Sequence, residues 1–270
     1  MEVKPFFGNR TCLLLIAAFS VSGCAQPTHF LEDHVVVDLS HAYNAATIYW
    51  PTEEGFLFER GPNGMTDGGY WYAANRFRSA EHGGTHLDAP EHFARDQWTV
   101  DEIPLERLSG PAILVDVRAQ AEADSDYEVS VGDFQQWEAG NGTIPTGAIV
   151  LIRTGFGSFW PDRARYLGTA DFGSEAVKKL HFPGLSAPAA RWLVSERKIH
   201  AVGLDTASID RGQSRLFETH QVLSAANIPV FENLANLGRL PERGFLVVAL
   251  PMKIEGGSGA PLRAIALLPR

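Results

Sequence analysis

Short runs of aliphatic and β-branched residues recur along this chain, each bounded by Gly, Pro or Asp. They fall at 35–39, 70–78, 112–117, 148–153, 201–204, 229–232, 245–250 and 264–268. Runs of this length and composition read as β-strands, and the near-continuously apolar ones read as strands buried on both faces. Helical periodicity is rarer. It predicts helices over 131–139, 187–197 and 217–226, the second with Ser186 as N-cap and Pro188 in its first turn. Strands that outnumber interspersed helices predict a single mixed α/β domain. The stretches 119–126 and 160–182 are polar or irregular and read as surface insertions.

The first residues follow a different logic. Lys4 and Arg10 precede an apolar run over 12–21, and Val21-Ser22-Gly23-Cys24 follows. A positive end, a short apolar stretch and small residues are the layout of a secretory signal peptide, and the run falls short of the roughly 20 residues a membrane span needs. The ending resembles a bacterial lipobox, in which the new N-terminal cysteine, here Cys24, carries lipid; an ordinary signal peptide is the alternative. The expected organisation is a lipoprotein-type signal peptide over 1–23, a tether over 24–31 and one domain over 32–270. The protein is expected to be exported to the periplasm and held on the membrane only through Cys24.

Composition narrows the chemistry. The formal net charge of -9 and the absence of any Lys/Arg cluster argue against a nucleic-acid partner. Both cysteines, Cys12 and Cys24, precede the domain, so any metal there must be held by His and carboxylates.

Such ligands are concentrated in His82-Gly83-Gly84-Thr85-His86-Leu87-Asp88-Ala89-Pro90-Glu91-His92. Paired glycines disfavour a helix. On an extended strand His82, His86 and Asp88 share parity and project to one side, where two imidazoles and a carboxylate can converge on a cation such as Zn, Mn or Fe. His92 lies just past the turn at Pro90 that ends the extended segment, which fits a general base. A polar surface loop is the bland alternative, and three histidines within eleven positions weigh against it.

These residues resemble the signature of the cyclase family of metal-dependent hydrolases, which includes bacterial kynurenine formamidases and isatin hydrolases. Further blocks agree in order: Trp50-Pro51, Pro183-Gly184-Leu185-Ser186, Gly203 to Asp210, His220, Glu232-Asn233-Leu234 and Leu250 to Gly257. The resemblance implies a mixed-sheet domain of the swivelling β/β/α type. It also implies metal ligation by His82, His86, Asp88, His220 and Glu232, with one or two Zn or Mn ions and Asp88 bridging if there are two. His92 would be the catalytic histidine and Trp50 an aromatic wall for the substrate. By residue type alone His220 would read as a structural helix histidine, and Asp205 and Asp210 are open between orienting a ligand imidazole and closing a turn.

The implied activity is metal-dependent hydrolysis of a non-peptide C–N bond, with an aryl formamide such as N-formylkynurenine as the named example. Isatin-hydrolase-like opening of a cyclic amide is the alternative. An exported leader and the two insertions depart from a cytosolic formamidase. A non-catalytic exported metal- or ligand-binding protein is the alternative of another class, and it would be expected to lack a ligand or the base. A small-molecule amide or lactam is the expected partner, and the resemblance implies a homo-oligomer.

Overall fold

The computed structural model describes Met1 and residues 32–270. The signal segment, the tether and Cys24 lie outside the described residues. The strands are β1 (His34–Asp38), β2 (Leu57–Met65), β3 (Trp71–Arg78), β4 (His86–Asp88), β5 (Ser109–Asp116), β6 (Glu128–Val129), β7 (Ile149–Arg153), β8 (Gly184–Leu185), β9 (Ala201–Leu204), β10 (Val230–Glu232), β11 (Phe245–Pro251) and β12 (Gly259–Pro269).

Eight of them form one mixed sheet in the order β1-β12-β11-β5-β7-β9-β10-β4, and β4 pairs back onto β12. The long strand β12 makes this closure possible, because its start pairs with β4 through Gly259–Asp88 while its end pairs with β1. The strands from β12 round to β4 thus form a barrel, with β1 annexed outside the ring.

Alternation along each strand divides the core in two. Ala112 and Leu114 of β5, Ile149 and Leu151 of β7, Leu87 of β4 and Phe231 of β10 point into the barrel. Ile113, Val115, Val150, Ile152, Val202 and Leu204 point outward, beneath the helices that begin at Val131 and Ala187. Strands buried on both faces must be apolar at every position, and this is why their sequences read as continuous runs.

The predicted helices are present with shifted ends: Val131–Asn141, Ala187–Trp192 and Glu218–Ala225. Ser186 accepts a hydrogen bond from the Ala189 N–H (3.3 Å), as its N-cap reading requires. Beyond Trp192 the coil widens into a π-turn over Leu193–Arg197.

The two supposed surface insertions are corrected by the structure. Residues 118–123 and parts of 160–182 form short helices, and Ala121, Tyr166, Leu167, Leu180 and Phe182 are buried with Ile48 and Phe156 in a third apolar cluster that Trp50 packs against. Their apolar residues come from short, irregularly spaced turns, so no period betrays the burial. Sequence reading also missed β2, which pairs with β3 in a ribbon outside the barrel.

Candidate metal centre and active site

The pairing of β4 assembles the site. His86 lies opposite Glu232 and Leu87 opposite Phe231 on β10, while Asp88 lies opposite Gly259 on β12. Alternation sends Leu87 and Phe231 inward and leaves His86, Asp88 and Glu232 together on the outer face of the barrel seam, all buried.

The predicted extended run over 82–88 is only partly correct. The strand covers His86–Asp88 alone, because Gly84 takes a left-handed φ of 58° that turns the chain just before it. His82 therefore reaches the site from a loop rather than by strand parity. Its ring seats over Gly259, where an added Cβ would come within 2.4 Å of the imidazole.

His220 arrives from the first turn of helix Glu218–Ala225, and Asp210 holds it there. The Asp210 carboxylate accepts the Thr219 N–H (3.2 Å) and His220 N–H (3.1 Å) and bonds the His220 Nδ1 (2.6 Å). Asp205 does something different. It accepts the Thr154 N–H (2.7 Å), the Thr154 hydroxyl (2.7 Å) and the Gly155 N–H (3.0 Å), pinning the loop after β7. The two aspartates left open by sequence thus separate: Asp210 orients an imidazole, and Asp205 anchors the loop after β7.

Hydrogen-bond direction fixes what the cluster presents inward. Carbonyl and carboxylate oxygens only accept, so His86 Nδ1–H donates to the Gly84 carbonyl (3.0 Å) and His220 Nδ1–H to Asp210. The Nε2 atoms face carboxylates: His86 Nε2 lies 3.2 Å from Asp88 and 3.5 Å from Glu232, and His220 Nε2 lies 3.2 Å from Asp88 and 3.4 Å from Glu232. His86 Nε2 is buried without a hydrogen-bond partner. Lone pairs from imidazoles and carboxylates cannot share such a space unless protons or a cation lie between them, so the donor set fits a divalent metal. Ligand-capable atoms of His86, Asp88 and Glu232 lie within 4.8 Å of one another, as do those of His82, Asp88 and His92, and Asp88 belongs to both groups.

Electrostatics reflect the crowding. Burial opposes ionisation of Asp88, but the charge of His82 and hydrogen bonds from His220, His82 and His86 hold it well below the usual carboxylate range. Burial and the charge of Asp88 push Glu232 up. Burial would lower His86, yet its contacts with Asp88 and the charge of Glu232 lift it to about 8. Burial lowers His92 to about 4, Asp88 opposing and the neighbouring imidazoles assisting, so this ring is neutral at pH 7. The His92 ring stacks on His82 at 3.8 Å between centroids.

The cluster floors a cavity of about 500 Å³ whose lining includes Tyr49, Trp50, Phe93 and Phe217. Trp50 lines this cavity and meets Phe217 edge-on at 6.2 Å. Sequence reading missed Phe93 and Phe217, although each neighbours a residue or segment it had singled out. It also missed Tyr43, whose hydroxyl donates to the Gly83 carbonyl (2.9 Å), and the Asn233 amide, which donates to the Gly84 carbonyl (2.8 Å).

A closed mixed barrel with imidazoles and carboxylates converging on the floor of an aromatic cavity defines the class, a metal-dependent hydrolase. The Cyclase family model matches residues 37–211, and the chain belongs to that family. An isatin hydrolase of Roseibium aggregatum is 34% identical over 75% of this chain and 77% of its own. A kynurenine formamidase of Sphingopyxis alaskensis is 28% identical over 84% of this chain and 95% of its own. Among solved structures, isatin hydrolase A from Ralstonia solanacearum superposes with a TM-score of 0.79 at 32% identity, covering 92% of this chain and 100% of that one.

Proposed function

We propose that the chain hydrolyses the C–N bond of an aromatic amide, with a cyclic amide of the isatin type as first substrate and an aryl formamide such as N-formylkynurenine as second. The observation that carries this reading is the convergence of imidazole nitrogens and two carboxylates on the floor of an aromatic-walled cavity. The cyclic amide ranks first because the isatin hydrolase relatives match at higher identity than the formamidases.

In this reading His82, His86, Asp88, His220 and Glu232 would hold one or two divalent ions, Zn or Mn. Bound there, the ion supplies Lewis acidity, acidifying a water and polarising the amide carbonyl. Trp50, Phe93 and Phe217 pack the substrate ring and orient its carbonyl towards the floor. His92, neutral and beside the cluster, accepts the proton as the water oxygen bonds to the carbonyl carbon, and delivers it to the nitrogen as the C–N bond breaks. The products are a free amine, a carboxylate and one proton released to solvent, with amine and carboxylate in one molecule when the substrate is a lactam.

Metal analysis of the leaderless protein, combined with turnover assays on isatin and N-formylkynurenine, tests the reading. Stoichiometric metal and ring opening of isatin are the expected result. Stoichiometric metal with no hydrolysis of either amide would favour an exported binding protein instead.

We also propose a homo-oligomer assembled through the β2–β3 ribbon. An isolated two-stranded ribbon is marginal in water. This one exposes Phe58 (53%), Trp71 (63%) and Phe77 (53%) on one face. It carries three arginines against two carboxylates on a chain of net charge -9, which favours docking on the acidic body of a second copy. Light scattering of the wild type and of Phe58→Ser/Trp71→Ser decides, and a monomeric wild type would refute the assembly. Export and lipidation at Cys24 complete the proposal, tested by palmitate labelling that disappears in Cys24→Ala.

A further inference from the structure

The ring of His82 is engaged at both nitrogens. Nδ1 lies 2.6 Å from Asp88 Oδ1, and Nε2 lies 3.0 Å from the Ser258 hydroxyl. That hydroxyl is 2.7 Å from Glu81 Oε2, which also accepts the Ser258 backbone N–H at 3.1 Å.

With Glu81 ionised, one arrangement of hydrogens satisfies the Ser258 half of this chain. The Glu81 carboxylate can only accept, so the Ser258 O–H donates to it. The Ser258 oxygen is then free to accept, and the hydrogen it takes is the His82 Nε2–H. In the metal-free ring Nδ1–H donates to Asp88, the carboxylate shared by both ligand groups, and this is the proton a metal would displace.

We propose that Ser258 and Glu81 form a positioning pair that fixes His82 as its Nε2–H tautomer and so presents Nδ1 to the metal. The inference rests on the metal-site reading above. It places His82 on the same footing as His86 and His220, whose outer N–H groups are tied to the Gly84 carbonyl and to Asp210. Each imidazole then has its own outer acceptor, a division of labour that tunes ligand orientation and basicity. Here the acceptor is delivered by barrel closure. The Ala89 N–H donates to the Ser258 carbonyl (2.8 Å), and Gly259 pairs with Asp88, so β12 carries Ser258 to His82 as it docks on β4.

The test uses the leaderless protein and Zn²⁺. Dissociation constants are measured by chelator competition for wild type, Ser258→Ala, Glu81→Ala and Ser258→Thr, and imidazole nitrogen NMR reports the His82 tautomer. The expected result is a loss of Zn²⁺ affinity of about 10- to 100-fold in Ser258→Ala and Glu81→Ala, restored by the hydroxyl of Ser258→Thr. The wild-type His82 spectrum shows Nε2–H. Unchanged affinity in both alanine variants, or an Nδ1–H tautomer in wild type, would overturn the pairing. If wild type binds no Zn²⁺, the metal reading fails, and the tautomer measured without metal still decides the hydrogen-bond chain. Should Ser258→Ala not fold, Glu81→Ala and the wild-type spectrum give the answer.

Discussion

His86 and His92 sit within one short segment, yet the structure assigns them opposite surroundings, and substitution should separate them. His86 is buried between Asp88 and Glu232 with its outer nitrogen tied to Gly84, whereas His92 stacks on His82 at the cavity floor. His86→Ala is expected to lose bound metal and activity together. His92→Ala should keep its metal content and lose about 10²- to 10⁴-fold in kcat, the usual contribution of a positioned proton acceptor. Metal analysis beside steady-state kinetics checks both, and near wild-type turnover in His92→Ala would remove it from the base role. The local part of this cluster was legible in the sequence because alternation alone puts His86 and Asp88 on one side. His82 was placed in the right cluster for an incomplete reason, since Gly84 turns the chain and a loop delivers the ring. His220 and Glu232 could not be paired by local pattern: one is a lone helix histidine, the other a carboxylate ending a strand, and only the β4–β10 register and the Asp210 bond bring them in. Asp205 and Asp210 look alike in sequence and differ only in what folds against them.

At the level of elements, β4 carries two jobs on three residues, ligands on one face and core on the other. Leu87→Ala should leave every candidate ligand in place and still destabilise the protein by about 2–5 kcal/mol, because the cavity opens in the barrel interior beside Phe231. Urea denaturation of the metal-free protein measures this, and a loss below about 1 kcal/mol would place Leu87 outside the tightly packed core. A second element-level prediction concerns the helices outside the barrel. Glu138 of helix Val131–Asn141 accepts two hydrogen bonds from Arg197 (2.6 and 2.8 Å), and these hold its carboxyl below the ordinary value of 4.5. A depressed folded-state pKa means stability that is present above the unfolded value and lost as pH falls through the folded one. Glu138→Gln should therefore cost at most about 1 kcal/mol at pH 7 after solvent screening, with the difference from wild type shrinking in acid. A difference that grows in acid would contradict the pairing. Elements were legible where a period was long enough to count. The buried turns within 160–182 and the partner strand β2 were not, since burial there depends on neighbours far along the chain.

The barrel closes at the point where the charges are most crowded. The three-residue strand β4 joins β10 to β12, and the buried carboxylates Asp88 and Glu232 lie across that seam from each other. Closing a barrel there would be costly if both carboxylates had to ionise without a counter-charge, since buried like charges repel strongly. A divalent cation at the seam removes the repulsion and takes up the inward-facing imidazole nitrogens, so metal binding and barrel closure should be a single linked equilibrium. Chelation is therefore expected to destabilise the whole molecule, by about 2.7 kcal/mol relative to protein held at a metal concentration one hundred times its dissociation constant. It should also act unevenly. Amide exchange should accelerate most in His86–Asp88 and Val230–Glu232, the strands that meet at the seam, and least in the parallel strands β5 and β7 on the opposite side of the ring. Thermal melts and hydrogen exchange with and without chelator measure the two effects. Uniform acceleration across all strands, or none at the seam, would separate metal binding from closure and leave the cluster as a site on a barrel that closes without it.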